Sequence, residues 1–207
     1  TGTINSFFIG FVATFIATAL GTLAALGLSR PHMPYKGLIM AILISPMIVP
    51  LIITAAGMFF FYARINLVYS FTGIILAHVA LATPFVVITV TATLVGFDMN
   101  MVKASQSLGA KPLRTFFKII MPLILPGVIS GALFAFITSF DEVVIVMFMA
   151  SLDQLTIPKQ MWAGIRQEIS PVILCMATCL VVLSIFLLTT VELLRRRSEK
   201  LRGITAR

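Results

Sequence analysis

The sequence predicts an all-α polytopic bundle of membrane-spanning helices. Of its 207 residues, 59% are hydrophobic and 11% are charged, whereas about 25% of an average soluble domain is charged. Five apolar stretches of 18 to 27 residues contain no charged residue, and about 20 such residues form a helix that crosses a bilayer. These stretches are 5–28, 38–62, 71–97, 123–140 and 172–191. The composition excludes a disordered chain and an ordinary cytosolic enzyme.

Proline residues interrupt three of the five predicted spans. Pro46 and Pro50 lie in the second span, Pro84 lies in the third, and Pro122 and Pro126 mark the start of the fourth. Proline frees a backbone carbonyl and kinks a helix, which membranes tolerate where neighbouring groups satisfy that carbonyl. The kinks therefore either accommodate packing or border a cavity or gate.

Small and polar residues inside the spans predict helix contacts rather than chemistry. Gly127 and Gly131 form a small-xxx-small pattern, which allows two helices to approach closely. We expect His78 to hydrogen-bond to a neighbouring helix rather than to carry protons. Cys175 and Cys179 are expected to be small buried side chains on one helix face. They are too few to form a zinc site, so no metal site is expected.

The distribution of positive charge predicts the orientation. The segments 29–37, 98–122 and the tail 192–207 contain twelve of the fifteen Lys and Arg residues, and the opposite loops contain three. The basic side should be cytoplasmic, and so should the C-terminus. Residue 1 would then lie outside, so we expect an earlier span to precede this chain, six in all. Because the charge lies in loops rather than along one face, no nucleic-acid partner is expected.

The segment 98–122 predicts two short helices that meet at a corner. Asp98 is a suitable N-cap for a helix through Leu108, Gly109 suits a left-handed C-cap, and Pro112 suits the first turn of a second helix. The apolar face of that helix would contain Leu113, Phe116, Phe117 and Ile120. The segment either docks a soluble partner or lies on lipid.

The same segment resembles the EAA loop of ABC importer permeases, which reads Glu-Ala-Ala, three residues, Gly, nine residues, Ile, one residue, Leu-Pro. Gly109, Ile119 and Pro122 match at this spacing, while Lys103, Ser105 and Met121 replace Glu, Ala and Leu. The resemblance implies that the loop seats in a cleft of a cytoplasmic ATPase subunit. The implied coupling residues are Lys103, Ala104, Ser105, Gly109, Ala110, Pro112, Phe116, Ile119 and Pro122.

The resemblance extends over nearly the whole chain. Four segments are typical of the family: Asn5-Ser6, Leu28-Ser29-Arg30, 140–144 and 155–158. The segment 164–171 resembles the second permease of the spermidine/putrescine class. This implies one transmembrane domain over 1–207 in a bacterial inner membrane that works by alternating access. The implied partners are a second homologous permease, two cytoplasmic ABC ATPase subunits and a periplasmic solute-binding protein. ATP and Mg²⁺ would be bound by the ATPase subunits, so this chain would be no enzyme and would hold no cofactor.

The predicted periplasmic segment 141–171 has four acids against two basic residues, so its mouth would attract a cation. Ser139, Asp141 and Glu142 lie at the outer end of the fourth span. The resemblance implies that they line the path of a small cationic solute, such as a polyamine. Alternatively, the acids cap a helix or pair with the sister permease.

Two further alternatives remain at this point. Similar permeases carry opines, other small amino compounds or aminophosphonates. A more distant possibility is a secondary transporter that needs no ATPase, although its coupling charges would normally lie inside the spans.

Overall fold

The computed structural model describes residues 2–30, 33–95, 97–98, 100–167 and 171–201. Within these residues every regular element is a helix. The α-helices are α1 (Gly2–Leu28), α2 (Lys36–Ile48), α3 (Leu51–Arg64), α4 (Phe71–Val95), α5 (Asn100–Ser107), α6 (Pro112–Thr115), α7 (Met121–Phe140), α8 (Val144–Met149), α9 (Ile157–Gln167) and α10 (Pro171–Leu201). A π-helical turn, Phe116–Ile120, joins α6 to α7, and a 3₁₀ turn covers Leu152–Gln154.

Three helices are long and apolar enough to cross a membrane: α1, α4 and the continuous helix Pro112–Phe140. The apolar part of α10, Leu174–Thr190, agrees with the fifth predicted span. The helical bundle predicted from composition is therefore confirmed.

The second predicted span is not a single helix. α2 ends at Ile48, α3 begins at Leu51, and the two axes differ by 104°. Val49 and Pro50 between them have extended backbone angles, and the proline has no N–H with which to continue the α-helical bonding. The pair is a broken span or a re-entrant loop rather than the kinked helix expected over 38–62.

The fourth predicted span begins earlier than expected. Helical structure runs without a break from Pro112 to Phe140, so Pro122 does not separate the loop from the span. The Met121 N–H donates to the Phe116 carbonyl, five residues back. The next residue, Pro122, has no N–H to donate. The π turn accommodates this missing hydrogen bond without ending the helix.

The core of the bundle forms where α1, α4 and α7 pack together. Glycines on α7 allow it to approach α4 closely. A Cβ on Gly127 would lie 3.0 Å from the Thr89 carbonyl oxygen, and one on Gly131 would lie 2.9 Å from Val86 Cα. These distances confirm the close helix contact that the glycine spacing predicts.

Among the described residues, α10 packs on α7 where Phe136 and Phe140 meet Leu180, Leu183 and Leu187. Cys175 and Cys179 both lie on the exposed side of α10. The expectation that they are buried within this chain is therefore wrong.

Candidate functional site

The helices bring the predicted site residues to opposite ends of the bundle. We call α5, α6 and the residues between them (100–115) the Gly109 corner, and the end of the bundle where it lies the Gly109 end. The other end, the Asp141 end, contains the start of α1 and the segment 141–157. The coupling residues and the substrate-path residues therefore form two separate candidate sites.

The backbone of the Gly109 corner follows from its turn residues. The Asp98 carboxylate accepts a hydrogen bond of 2.9 Å from the Asn100 N–H, so it caps α5 as expected. Gly109 has φ 78°, the left-handed conformation expected of it. Its N–H donates to the Gln106 carbonyl at 2.9 Å, and the Ala110 N–H donates to the Ser105 carbonyl at 3.1 Å. These two bonds form a complete Schellman motif, which satisfies the last carbonyls of α5.

A side-chain hydrogen bond joins the two helices across this corner. Ser105 Oγ and Thr115 Oγ1 are 2.9 Å apart, and the two residues are 7% and 3% exposed. The family signature has alanine at the position of Ser105, so nothing in the motif predicts this bond. The sequence offers no signal for it, because the partners lie on different helices.

The rest of the corner faces outward. Lys103, Ala104, Gly109 and Pro112 are exposed, as is Pro122 further along the helix, while Ala110, Phe116 and Ile119 are half-buried. Leu108 is 88% exposed. An open cavity of about 610 Å³ lies here. Its lining comes from α5, from the residues that link α5 to α6, and from the helix that follows: Met101, Ala104, Ser105, Leu108, Gly109, Ala110, Arg114 and Ile119.

Four exposed basic residues lie in the Gly109 corner or just after it in the chain. They are Lys103, Lys111, Arg114 and Lys118. An exposed leucine close to positive charges fits both alternatives left open by the sequence, a soluble partner with an apolar cleft and the surface of the membrane.

At the Asp141 end, Ser139 is buried and engaged within the bundle. Its Oγ lies 2.8 Å from His78 Nδ1, and both side chains are buried. The bond joins α4 to α7, so the expectation that His78 hydrogen-bonds to a neighbouring helix is confirmed.

Glu142 caps the short helix α8. Its Oε1 accepts a 2.8 Å hydrogen bond from the Ile145 N–H, and the residue is 7% exposed. Burial raises the pKa of its carboxyl, an effect that the N–H groups of Ile145 and Val144 oppose and the charge of Asp141 reinforces. Of the two alternatives open for the acids, helix capping describes what this side chain does in the structure.

Asp141, by contrast, is exposed at the end of α7. Partial burial still raises the pKa of its carboxyl. Ser139, Asp141 and Glu142 thus have three different surroundings: a buried histidine, solvent and a helix terminus.

Lys159 holds the opposite end of α8, a role that sequence reasoning missed. Its Nζ donates to the Val146 carbonyl at 3.1 Å and to the Ala150 carbonyl at 3.3 Å. Burial lowers the pKa of its ammonium group. A carboxylate at the first turn and an ammonium at the last both suit the helix dipole, so α8 is held at its two ends by opposite charges.

Asn5 and Ser6 attach the first helix to this end. Asn5 Nδ2 donates to the carbonyls of Asp153 and Leu155 at 2.8 and 3.0 Å. The Ile157 N–H donates to Ser6 Oγ at 2.8 Å. The resemblance pointed to Asn5-Ser6 as a typical pair, and the structure shows that the pair fastens the segment before α9.

Comparison with known proteins agrees with this architecture. Residues 17–200 match the family described as binding-protein-dependent transport system inner membrane component. The chain is 32% identical over 196 residues to the spermidine/putrescine transport system permease protein PotC of Haemophilus influenzae, covering 95% of this chain and 76% of that protein. It is 30% identical over 174 residues to the putrescine transport system permease protein PotI of Escherichia coli, covering 80% and 62%.

Among solved structures, an inward-facing conformation of the MetNI methionine ABC transporter has the same fold. The TM-score is 0.65 at 19% sequence identity, and the match covers 99% of this chain and 95% of that one. Together with the match over 17–200, this confirms the resemblance drawn from the loop. The chain belongs to the family of inner membrane components of binding-protein-dependent transport systems.

Proposed function

We propose that this chain is one transmembrane permease subunit of an ATP-driven importer that carries a small polyamine, such as spermidine or putrescine, across the inner membrane. The observation that carries the proposal is the 32% identity to a spermidine/putrescine permease over 95% of the chain. The exposed Gly109 corner supports it, since a docking element is what a subunit without its own ATPase needs.

In this proposal the Gly109 corner seats in a cleft of a cytoplasmic ATPase subunit. ATP and Mg²⁺ are bound there and not by this chain. Closure of two such ATPase subunits displaces the corner, and the continuous helix Pro112–Phe140 carries the displacement into the bundle. The bundle and a second, similar permease then alternate between inward-open and outward-open forms. A periplasmic binding protein delivers the solute.

In this proposal the Gly109 end and the C-terminus lie in the cytoplasm. The grouping of exposed basic residues in the Gly109 corner supports this orientation. The Asp141 end then faces the periplasm and receives the solute.

Of the two predicted acids at the mouth, Asp141 is better placed than Glu142 to meet a cation, because its side chain is exposed while that of Glu142 is buried. Glu142 and Ser139 would act on the path indirectly, since one caps α8 and the other bonds to His78. A carboxylate near the surface raises the local concentration of a cationic solute.

The test is uptake by a reconstituted complex. The chain would be co-expressed with its sister permease, ATPase subunits and binding protein, and the complex placed in vesicles with labelled spermidine, putrescine or methionine. Uptake of a polyamine but not methionine, dependent on ATP, is expected. ATP hydrolysis without polyamine uptake would retain the importer and contradict the substrate. The absence of any co-purifying ATPase would contradict the whole proposal.

A further inference from the structure

One buried hydrogen bond connects the two helices of the Gly109 corner through their side chains. Ser105 is the buried residue of α5, and Thr115 is the buried residue of α6. Their hydroxyl oxygens are 2.9 Å apart. We call these two side chains the hydroxyl pair.

The backbone between the two helices provides little resistance to rotation. The bonds of the Schellman motif both end on α5 carbonyls, those of Gln106 and Ser105, and do not reach α6. No atom lies within 4 Å of the place where a Cβ on Gly109 would stand. Without the hydroxyl pair, the position of α5 relative to α6 would depend on the four linking residues 108–111 and on the remaining contacts of α5 with α6 and the π turn.

Thr115 also lies where a displacement must enter the span. It is the last residue of α6, and the π turn Phe116–Ile120 and α7 follow it without a break. A force applied to α5 therefore reaches the membrane helix through Thr115 if the hydroxyl pair is intact. If it is broken, α5 can shift while α7 stays in place.

We propose that Ser105 and Thr115 are positioning residues that make the Gly109 corner move as one body with α7. This inference rests on the proposed function, in which the corner docks an ATPase subunit. The pair acts through geometry and touches neither ATP nor solute. Removal of either hydroxyl leaves the other buried without its partner, so the two single substitutions should have similar effects.

The experiment compares four variants in the reconstituted complex: Ser105→Ala, Thr115→Val, the double variant and Thr115→Ser. The matched control is Thr178→Val, since Thr178 lies on α10, outside the Gly109 corner, and its exposed hydroxyl donates within its own helix, to the Leu174 carbonyl at 2.9 Å. The quantity measured is labelled spermidine or putrescine imported per ATP hydrolysed, with the amount of assembled complex measured alongside.

We expect each single loss to reduce that ratio about three- to tenfold, as one buried hydrogen bond would. The double variant should fall no further, because both changes remove the same bond. Thr115→Ser should keep most of the ratio, Thr178→Val should keep all of it, and assembly should be unchanged. Ratios equal to the unmodified chain in Ser105→Ala and Thr115→Val would overturn the inference.

A second measurement keeps the two proposals separable. Amide hydrogen exchange in the purified full chain should speed up across α5 in Ser105→Ala, with α7 unaffected. If the unmodified complex shows no ATP-driven uptake, the proposed function fails, and exchange still tests the hydroxyl pair. Unchanged exchange in α5 would then contradict the inference independently.

Discussion

The two ends of the bundle differ in which residues their side-chain hydrogen bonds join. At the Asp141 end, Asn5 and Ser6 bond to residues that lie 148 to 151 positions later in the chain. At the Gly109 end, the hydroxyl pair joins residues ten positions apart, within the corner itself. The first arrangement holds distant segments in place, whereas the second keeps a protruding element in shape. We therefore infer that the Asp141 end stays fixed while the Gly109 corner, as proposed above, moves as a unit.

The largest effect is expected from a substitution that distorts the Gly109 corner alone. Gly109→Val places a β-branched residue at φ 78°, where the backbone cost is about 1–3 kcal/mol, although no neighbour would clash with it. We expect uptake to fall at least about tenfold while assembly persists, because the bundle is untouched. Uptake assays on vesicles with equal amounts of complex measure this.

Gly109→Asn is the control, since asparagine adopts the left-handed conformation far more readily. It should retain most of the uptake. Equal losses in Gly109→Val and Gly109→Asn would show that backbone conformation is not what matters at this position.

At the opposite end, the expected effect is on stability rather than on coupling. Asn5→Leu removes two hydrogen bonds and leaves the carbonyls of Asp153 and Leu155 without this donor. We expect the free energy of unfolding to fall by about 2 kcal/mol, measured by thermal unfolding in detergent. Thr3→Ala, an exposed change in the same turn, should leave stability unchanged. If Asn5→Leu reduced coupling but left stability normal, the assignment of stability to the Asp141 end and coupling to the Gly109 corner would be wrong.

For the Glu142 cap of α8 we expect a smaller effect on the free energy of unfolding, and one that depends on pH. Glu142→Ala should cost about 1 kcal/mol, whereas Glu142→Gln keeps an oxygen that accepts from the Ile145 N–H. Burial raises the pKa of the Glu142 carboxyl above its ordinary value of 4.5, so between those two values the folded chain binds more protons than the unfolded one. Its free energy of unfolding should therefore decrease as pH rises through that window.

Glu142→Gln should make this decrease shallower, although not abolish it, because the pKa of Asp141 is raised as well. Unfolding midpoints measured from pH 4 upward, about the ordinary pKa of a carboxyl, provide the check. An identical slope in the unmodified chain and in Glu142→Gln would contradict the assignment of the buried carboxylate.

The smallest expected effect concerns the solute. Asp141→Asn should raise the spermidine concentration for half-maximal uptake about threefold, a change of the size expected for one exposed charge. Asp153→Asn removes an exposed carboxylate at the same end and serves as the control. Equal shifts in Asp141→Asn and Asp153→Asn would indicate a general field effect rather than a contact at Asp141.

Local chemistry explains which features could be predicted from the sequence. The apolar runs predict the helices, and Asp98, Gly109 and Pro112 predict the corner, because caps and turns depend on neighbouring residues. The sequence predicts a kink in the second span, but the helix breaks after Ile48 with a bend of 104°. The direction of the chain after a helix end depends on tertiary packing, which the local sequence does not specify. The hydroxyl pair and the bonds of Asn5 and Lys159 could not be predicted, because periodicity says nothing about partners on other helices.

The most direct test of the central claim is the number of spermidine molecules imported per ATP hydrolysed, measured on the same vesicles for Gly109→Val and Asn5→Leu. We expect the complex that contains Gly109→Val to hydrolyse ATP but to import little spermidine. We expect the Asn5→Leu complex that remains folded to keep the same ratio as the unmodified complex. A normal ratio in Gly109→Val, or a collapsed ratio in folded Asn5→Leu, would contradict the division of roles between the two ends.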